Sequence, residues 1–148
     1  GENYIAYACF HLNKETTLRE HDIEELSKTD VVISTNGNDN GWWNHSTKYY
    51  QPQYWCAAIT PENLIKVNGI DERFADGYAI EDGWFIDQIR RAGMRIDVVD
   101  YPFVAHQWHE RIYPKNCMAL VEKNKRLWDQ LKKTNEFRSV HHITPDLA

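Results

Sequence analysis

The sequence lacks several features that mark well-known classes of protein. It contains no apolar run approaching the roughly 20 residues of a membrane span, and no signal-like start. Its 3 cysteines, Cys9, Cys56 and Cys117, form no CxxC pair, so neither a disulfide framework nor a structural zinc site is indicated. This cysteine usage favours a reducing, cytoplasmic location, with contact to a membrane surface only through other parts of a parent protein.

Clustered positive charge is also missing. The 17 Lys and Arg residues are outnumbered by 22 Asp and Glu residues, which gives a formal net charge of -5. No basic stripe is interleaved with aromatic residues, so we expect no nucleic-acid partner. Aromatic residues are abundant, with 6 Trp, 8 Tyr and 5 Phe. Such rings suit sugar-binding sites as well as protein cores.

Strand and helix patterns are mixed along the 148 residues. Runs of β-forming residues predict strands at 4–12, 31–33, 54–59, 95–99 and 103–105. Capping and stop signals predict helices at 17–27, 61–67, 81–93 and 115–133. The last helix would bury an apolar face of Met118, Val121, Leu127, Trp128 and Leu131. We therefore predict a single α/β domain over residues 1–148.

Residues 36–50 interrupt this pattern with Gly and Asn turn residues, which predict a loop. The segment also carries Trp42, Trp43, Tyr49 and Tyr50. Exposed rings would form a binding edge, whereas buried rings would fix the loop to the core. The sequence leaves both alternatives open.

The most informative stretch runs from residue 69 to residue 93. Here the adjacent acids Glu81 and Asp82 lie at the predicted start of a helix. The free amides and the dipole of a helix N-terminus favour an ionised carboxylate, which can serve as a base near neutral pH. On spacing alone, however, a plain helix-start signal is the better interpretation.

The run GIDERF…GYAIEDGWFIDQIRRAG resembles a segment of GT-A fold glycosyltransferases, both family 2-like and galactosyltransferase C-terminal-like members. The matching positions are Gly69, Asp71, Glu72, Phe74, Gly77, Glu81, Asp82, Phe85, Ile89 and Gly93. The resemblance extends over roughly residues 54–109. It implies a partial GT-A (Rossmann-like) fold, namely the C-terminal half with a mixed sheet flanked by helices. That half holds the acceptor and the catalytic base.

The resemblance also implies an activity and the residues that carry it. The parent enzyme would transfer a sugar from a nucleotide-sugar donor to a glycan acceptor with inversion, and Asp82 would be the general base. Glu81, Gly77 and Tyr78 would bind the acceptor. Trp84 would either stack on an acceptor sugar ring or pack in the core. Residues 55–58 would form the strand on the acceptor side.

A histidine after the next strands coordinates a divalent cation in such enzymes. His106 occupies that place here, and His109 is the second choice. An imidazole can ligate Mn²⁺ or Mg²⁺, and the ion then offsets charge on the departing diphosphate. Without the resemblance, an ordinary surface or core-edge histidine would be the better interpretation of both. The tail residues His141 and His142 have no such context and receive no role.

The sequence departs from the family in lacking an Asp-x-Asp motif. The nearest candidates, 38–40 and 97–100, have the wrong spacing or place. The chain is therefore expected to lack the N-terminal nucleotide-binding half, either as a fragment or as a naturally short relic. Gly1 is typical of a cleavage scar and favours the fragment. Alone, the chain should bind neither metal nor sugar nucleotide well.

Two alternatives belong to other classes of function. A non-catalytic carbohydrate-binding module would use the aromatic segment at Trp42, Trp43, Tyr49 and Tyr50. A metal hydrolase would use His45, His106 and His109, but no recognisable ligand spacing such as HExxH supports it.

Overall fold

The computed structural model describes residues 3–33, 38–53 and 56–141. The chain groups into two compact units. Unit 1 comprises residues 1–4, 59–96 and 113–148, and unit 2 comprises residues 5–58 and 97–112. Neither unit is one continuous stretch of sequence. Gly1, the predicted cleavage scar, lies outside the described residues.

A four-stranded sheet provides most of the framework of unit 2. Its strand β1 (Asn3–His11) pairs with each of the other three, β2 (Gly41–Asn44), β3 (Ala57–Ile59) and β4 (Arg95–His106). The pairing of β1 with β2 is antiparallel. Strands and helices are both present, so the predicted α/β class is confirmed.

Two short helices follow β1, where the sequence predicts one helix over 17–27. Helix α1 (Lys14–Leu18) is capped by Asn13, and helix α2 (Ile23–Leu26) is capped by Asp22. The predicted capping box at 17–20 is wrong, because Thr17 lies inside α1. Asn13 and Asp22 accept from the amides of Thr16 and Glu25, at 2.9 and 3.1 Å, and so satisfy the free donors at each helix start.

Strand β2 replaces part of the loop predicted for 36–50, so that prediction is wrong for residues 41–44. Gly41 permits the pairing, since a Cβ there would lie 2.7 Å from the Val31 carbonyl oxygen. Trp42 is 3% exposed and packs on Phe10 and Phe103. Burial of this ring overrides the local turn propensity.

The strands predicted on either side of β2 are shorter than expected. Residues 31–33 form one isolated bridge, between Val32 and Trp42, instead of a strand. Strand β3 begins at Ala57, and residues 54 and 55 of the predicted strand lie outside the described part of the chain. Beyond β3, the two strands predicted at 95–99 and 103–105 are one continuous strand, β4. Pro102 is tolerated in it because a strand at a sheet edge needs no donor on its outer side.

Unit 1 contains the longer helices, α3 (Pro61–Val67), α4 (Glu81–Arg91) and α5 (Cys117–Leu131), with a 3₁₀ helix over Glu72–Phe74. These confirm the helices predicted at 61–67, 81–93 and 115–133 to within two residues at each end. Helix α3 begins at Pro61 after the Thr60 cap and ends at Asn68, which has a φ of 64°. Of the helices in the described ranges, none is long and apolar enough to cross a membrane.

The core of unit 1 forms where α4 and α5 meet the 3₁₀ helix. Phe74, Trp84 and Leu131 are buried there, and Leu127 and Trp128 pack against them. The predicted apolar face of α5 is therefore largely confirmed. Met118 is the exception, because it lies in the first turn of α5 and is 79% exposed.

Candidate functional site

The acidic pair of unit 1 follows an unusual backbone turn. Glu81 and Asp82 open helix α4, and the two residues before them, Ala79 and Ile80, have positive φ angles of 55° and 76°. Left-handed backbone costs a non-glycine residue about 1–3 kcal/mol and persists where neighbouring structure imposes it. The acidic pair is thus presented by a strained turn.

Helix α5 holds that turn in place. Asn124 is 1% exposed, and its Nδ2 donates to the carbonyl oxygens of Phe74 and Ala79, at 3.1 and 2.8 Å. The amide of Tyr78 donates to the carbonyl oxygen of Leu120 at 3.3 Å. These bonds connect both ends and the middle of residues 75–80, here called the pocket loop, to α5.

Gly77 lies in the pocket loop for a steric reason. A Cβ at this position would lie 1.9 Å from Asn124 Oδ1, a distance that no side chain can accept. The sequence assigned Gly77 to substrate binding, and the structure shows what it does for the loop. Its lack of a side chain lets the loop pack directly on α5.

The environment of Asp82 raises its pKa. Burial is the largest cause, and the negative charge of Glu81 adds to it, whereas the Gly83 amide, which donates to Asp82 Oδ1 at 2.7 Å, acts in the opposite direction. The helix N-terminus by itself would stabilise the ionised form. Burial outweighs that effect here, so the Asp82 carboxylate is more basic than an ordinary aspartate.

A pocket of about 740 Å³ lies beside the acidic pair, entirely within unit 1. Three of the predicted acceptor residues, Gly77, Tyr78 and Glu81, contribute to its wall. Asp82 is not part of that wall. Among the described residues, the lining consists of Ile70, Asp71, Glu72, Phe74, Ala75, Gly77, Tyr78, Ala79, Glu81 and His141.

Trp84 is a core residue. Its side chain is fully buried, stacks on Phe74 at a centroid distance of 6.4 Å, and donates from Nε1 to Asp71 Oδ2 at 3.0 Å. Of the two roles that the sequence left open, core packing is the one that this position allows. Trp84 lies at the fourth position of α4, on the helix face that meets the 3₁₀ helix.

Asp71 connects several parts of the pocket wall. Its side chain is 1% exposed and receives bonds from Arg73 Nε and Nη2, at 2.9 and 2.6 Å, besides the one from Trp84. Burial alone would raise the pKa of Asp71, but the bonds from Arg73 and Trp84 outweigh it and lower the pKa. Arg73 also pairs with Glu136 at 2.7 Å. Asp71 and Glu72 belong to the resemblance, but the sequence assigned them no role.

His141 is the pocket residue that the sequence analysis missed. The ring contacts Glu72 and the carbonyl oxygen of Asn68. No local pattern around residue 141 predicted this, because the contact joins positions about 70 residues apart in the sequence. His142, the other tail histidine, lies outside the described residues.

His106 lies in unit 2, at the end of β4, among other rings. Its Nδ1 is 3.1 Å from Nδ1 of His11, and its ring centroid is 4.9 Å from that of Trp43 and 5.5 Å from that of His109. Burial lowers the pKa of His106, and the neighbouring His11, His109 and Arg111 lower it further. The imidazole is therefore held in its neutral form at neutral pH.

The metal role predicted for His106 needs further ligands. Among the described residues, no group of three His, Cys, Asp or Glu side chains is arranged to hold a metal ion. The residues around His106 therefore do not make a complete cation site. His45, which the hydrolase alternative requires, lies elsewhere in unit 2, beside Trp42 and 3.6 Å from Asp100.

Comparison with known proteins does not assign this chain to a family. No protein-family model, no curated protein and no solved structure matches it significantly. The resemblance to GT-A glycosyltransferases therefore remains a prediction from the residues 69–93.

Proposed function

We propose that this chain carries the acceptor side of a glycosyltransferase, with Asp82 as the general base. The observation that carries the proposal is the acidic pair at the start of α4. The pair follows the strained turn at Ala79 and Ile80, and its first member, Glu81, borders a pocket large enough for a sugar. A plain helix start requires neither the strain nor the pocket.

The chemistry follows from the state of Asp82. Its ionised carboxylate takes the proton of an acceptor hydroxyl while that oxygen attacks the anomeric carbon of the donor sugar. The bond from the anomeric carbon to the diphosphate breaks, and the nucleoside diphosphate leaves with the bonding electrons. A single displacement of this kind inverts the anomeric centre. A raised pKa brings the base closer to neutral pH, where proton transfer is most effective.

The donor side is not built from the residues described. The sequence has no Asp-x-Asp motif, and the surroundings of His106 do not complete a cation site. We propose that nucleotide-sugar binding, with any Mn²⁺ or Mg²⁺, is supplied by a nucleotide-binding half elsewhere in the protein. No step of the mechanism is assigned to a metal ion on this chain.

Replacement of Asp82 tests the proposal. In full-length protein, Asp82→Asn should lower the transfer rate by at least about 100-fold, the lower end of what a positioned base contributes. The measurement is release of nucleoside diphosphate from a panel of UDP- and GDP-sugars in the presence of neutral glycan acceptors. For the active enzyme, the acidic limb of the pH–rate profile should lie above the pKa of an ordinary aspartate.

Asp129→Asn is the matched control, because Asp129 is an exposed aspartate of α5 that forms a surface pair with Lys132. It should keep full activity. Nucleotide binding should be unchanged in both variants. Asp82→Asn should also unfold at no lower temperature, since burial disfavours the charge that the substitution removes. Full turnover by Asp82→Asn would show that the assignment of the base is wrong.

A carbohydrate-binding module without catalytic activity is the second candidate. The exposed rings of Tyr49 and Tyr50, which are 40% and 51% accessible, favour it. Trp42 is buried and offers no surface to such a ligand. If the module hypothesis holds, Tyr50→Ala should abolish glycan binding by the 148-residue chain, and Asp82→Asn should leave it unchanged.

A further inference from the structure

Helix α4 begins without the side-chain cap that usually fixes a helix start. The residue at its N-cap position is Ile80, which makes no side-chain hydrogen bond and has a φ of 76°. A Ser, Thr, Asp or Asn side chain would normally bind a free amide of the first turn from this position. An apolar side chain cannot do so. The place of Glu81 and Asp82 in the first turn therefore depends on contacts from outside α4.

Helix α5 supplies one such contact on the N-terminal side of the acidic pair. Asn124 Nδ2 donates to the carbonyl oxygen of Ala79 at 2.8 Å and to that of Phe74 at 3.1 Å. The Asn124 side chain is buried, so both bonds are shielded from water. Ala79 is the first of the two residues with a positive φ. Its strained backbone would relax to an ordinary conformation if these bonds were removed.

A second contact from α5 lies on the C-terminal side of the pair. The outer edge of the Trp128 ring lies against Gly83, where a Cβ would come within 2.9 Å of Trp128 Cη2. The indole is fixed on α4 because its Nε1 donates to Asp87 Oδ2 at 2.9 Å. The ammonium group of Lys132 lies 3.7 Å from the centroid of the same ring. Trp128 is therefore a fixed surface against the residue that follows Asp82.

Given the proposed function, we infer that helix α5 positions the base: Asn124 and Trp128 are positioning residues that hold Asp82 from its two sides. Neither side chain is among the described residues that line the pocket. Both act through the backbone, Asn124 on the turn before α4 and Trp128 on the first turn of α4. The half-buried carboxylate of Asp82 lies between these two contacts.

The burial of Asp82 is the property that these contacts control. Burial is the largest cause of its raised pKa, the charge of Glu81 adds to it, and the Gly83 amide opposes it. If the turn relaxes, the carboxylate becomes better solvated while the charge of Glu81 is unchanged. The pKa of Asp82 should then fall toward its ordinary value of 3.8, because water favours the ionised form. Asp82 would become a weaker base.

Asn124→Leu tests the inference, because leucine keeps the volume of the side chain and loses both donors. In the 148-residue chain, a carbon-13 NMR titration of the aspartate carboxyl groups should show a lower pKa for Asp82. In the full-length protein, kcat should fall at least about 10-fold, since a misplacement of about 1 Å can cost about 100-fold in rate. The acidic limb of the pH–rate profile should move to lower pH.

Trp128→Phe tests the second contact, because phenylalanine lacks the part of the ring that lies against Gly83. It should lower the pKa of Asp82 and kcat in the same direction as Asn124→Leu, but less. Since it keeps an aromatic side chain in the core, it decides the question by itself if Asn124→Leu does not fold.

Asn44→Leu is the matched control for a purely structural role. Asn44 is also buried, and its amide makes two hydrogen bonds within unit 2, to the Tyr7 carbonyl oxygen at 2.9 Å and from the Gln51 amide at 3.0 Å. This variant should lose stability as Asn124→Leu does and leave both kcat and the pKa of Asp82 unchanged. An unchanged pKa of Asp82 in the α5 variants, an unchanged kcat, or an equal change in the control would overturn the inference.

Failure of the proposed function would give a different result. Full turnover by Asp82→Asn would remove Asp82 as the base, but the NMR titration requires no turnover and would stand. An unchanged pKa of Asp82 in the α5 variants, together with lost turnover in Asp82→Asn, would keep the base and refute only its positioning by α5.

Discussion

The aromatic cluster of unit 2 and the pocket of unit 1 are held together by different means. In unit 2 the buried cluster consists of apolar and aromatic side chains, with Phe10 and Trp42 at its centre. In unit 1 the pocket depends on buried polar groups, above all Asp71, Asn124 and Ser139. Apolar packing depends on volume and tolerates small changes of shape, whereas a buried polar group requires its particular partners.

This difference affects how motif residues should be interpreted. In unit 1, some residues of the recognised stretch hold the pocket in shape: Gly77, itself part of the wall, admits Asn124, and the buried Trp84 donates to Asp71. In unit 2, the residue chosen for its chemistry, His106, lies among rings that hold it neutral. A matched motif therefore marks a place in the structure more reliably than it marks a contact with substrate.

The largest effect is expected at Asp71. Asp71→Asn removes the charge that Arg73 faces in a buried position and should lower the free energy of unfolding by about 3 kcal/mol. Because the folded pKa of Asp71 is lowered, its contribution is complete above the ordinary value of 3.8 and is lost as the pH falls through the folded pKa. Urea unfolding between pH 2 and pH 7 measures both the loss of stability in Asp71→Asn and the pH dependence of the unsubstituted protein.

Asp129→Asn again provides the control, since its pair with Lys132 is exposed and should contribute less than about 0.5 kcal/mol. If Asp71→Asn were as mild as this control, the pocket of unit 1 would not depend on buried polar contacts.

A smaller effect is expected at Gly77. Gly77→Ala places a methyl group on Asn124 Oδ1 and should cost about 2 kcal/mol, as overpacking does. Gly93→Ala is the matched comparison, because Gly93 has a φ of 77° and open space around its Cβ position. Its cost should be about 1 kcal/mol, from backbone strain alone. Urea unfolding measures the loss of stability in both variants. A smaller loss for Gly77→Ala than for Gly93→Ala would contradict this prediction.

The smallest effect is expected in the aromatic cluster of unit 2. Phe10→Leu keeps an apolar side chain of similar volume and should cost about 1 kcal/mol. Tyr101→Leu is the control, because Tyr101 is 73% exposed and should change stability by less than about 0.5 kcal/mol. Thermal unfolding is the measurement. A loss for Phe10→Leu as large as that for Asp71→Asn would remove the distinction between the two units.

Local signals predicted the parts of the fold that depend on neighbouring residues. The Thr60 cap followed by Pro61, and the stop at Asn68 and Gly69, gave the limits of α3 correctly. Strand β2 escaped prediction because its two Trp residues lie between the turn formers Gly41 and Asn44. Its pairing requires Val31 and Phe10, which are distant in the sequence.

The candidate site likewise combines residues from one short stretch of sequence with a residue that lies far from it in the chain. Glu81, Tyr78 and Gly77 lie within six residues of one another, and the structure places all three on one wall of the pocket. His141 was not predicted, because its position is set by Ser139, which in turn is held by Val67 and Gln88.

The sequence by itself determined the α/β class, the limits of helices α3, α4 and α5, and the place of the acidic pair at a helix start. Short-range signals suffice for these, since caps and periodicity act within a few residues. Only the tertiary structure decided that Trp84 is buried, that Asp82 has a raised pKa and that His141 lines the pocket. The burial of Trp84 against Leu131 and the contact of His141 with Glu72 join residues far apart in the chain, and no local pattern encodes them.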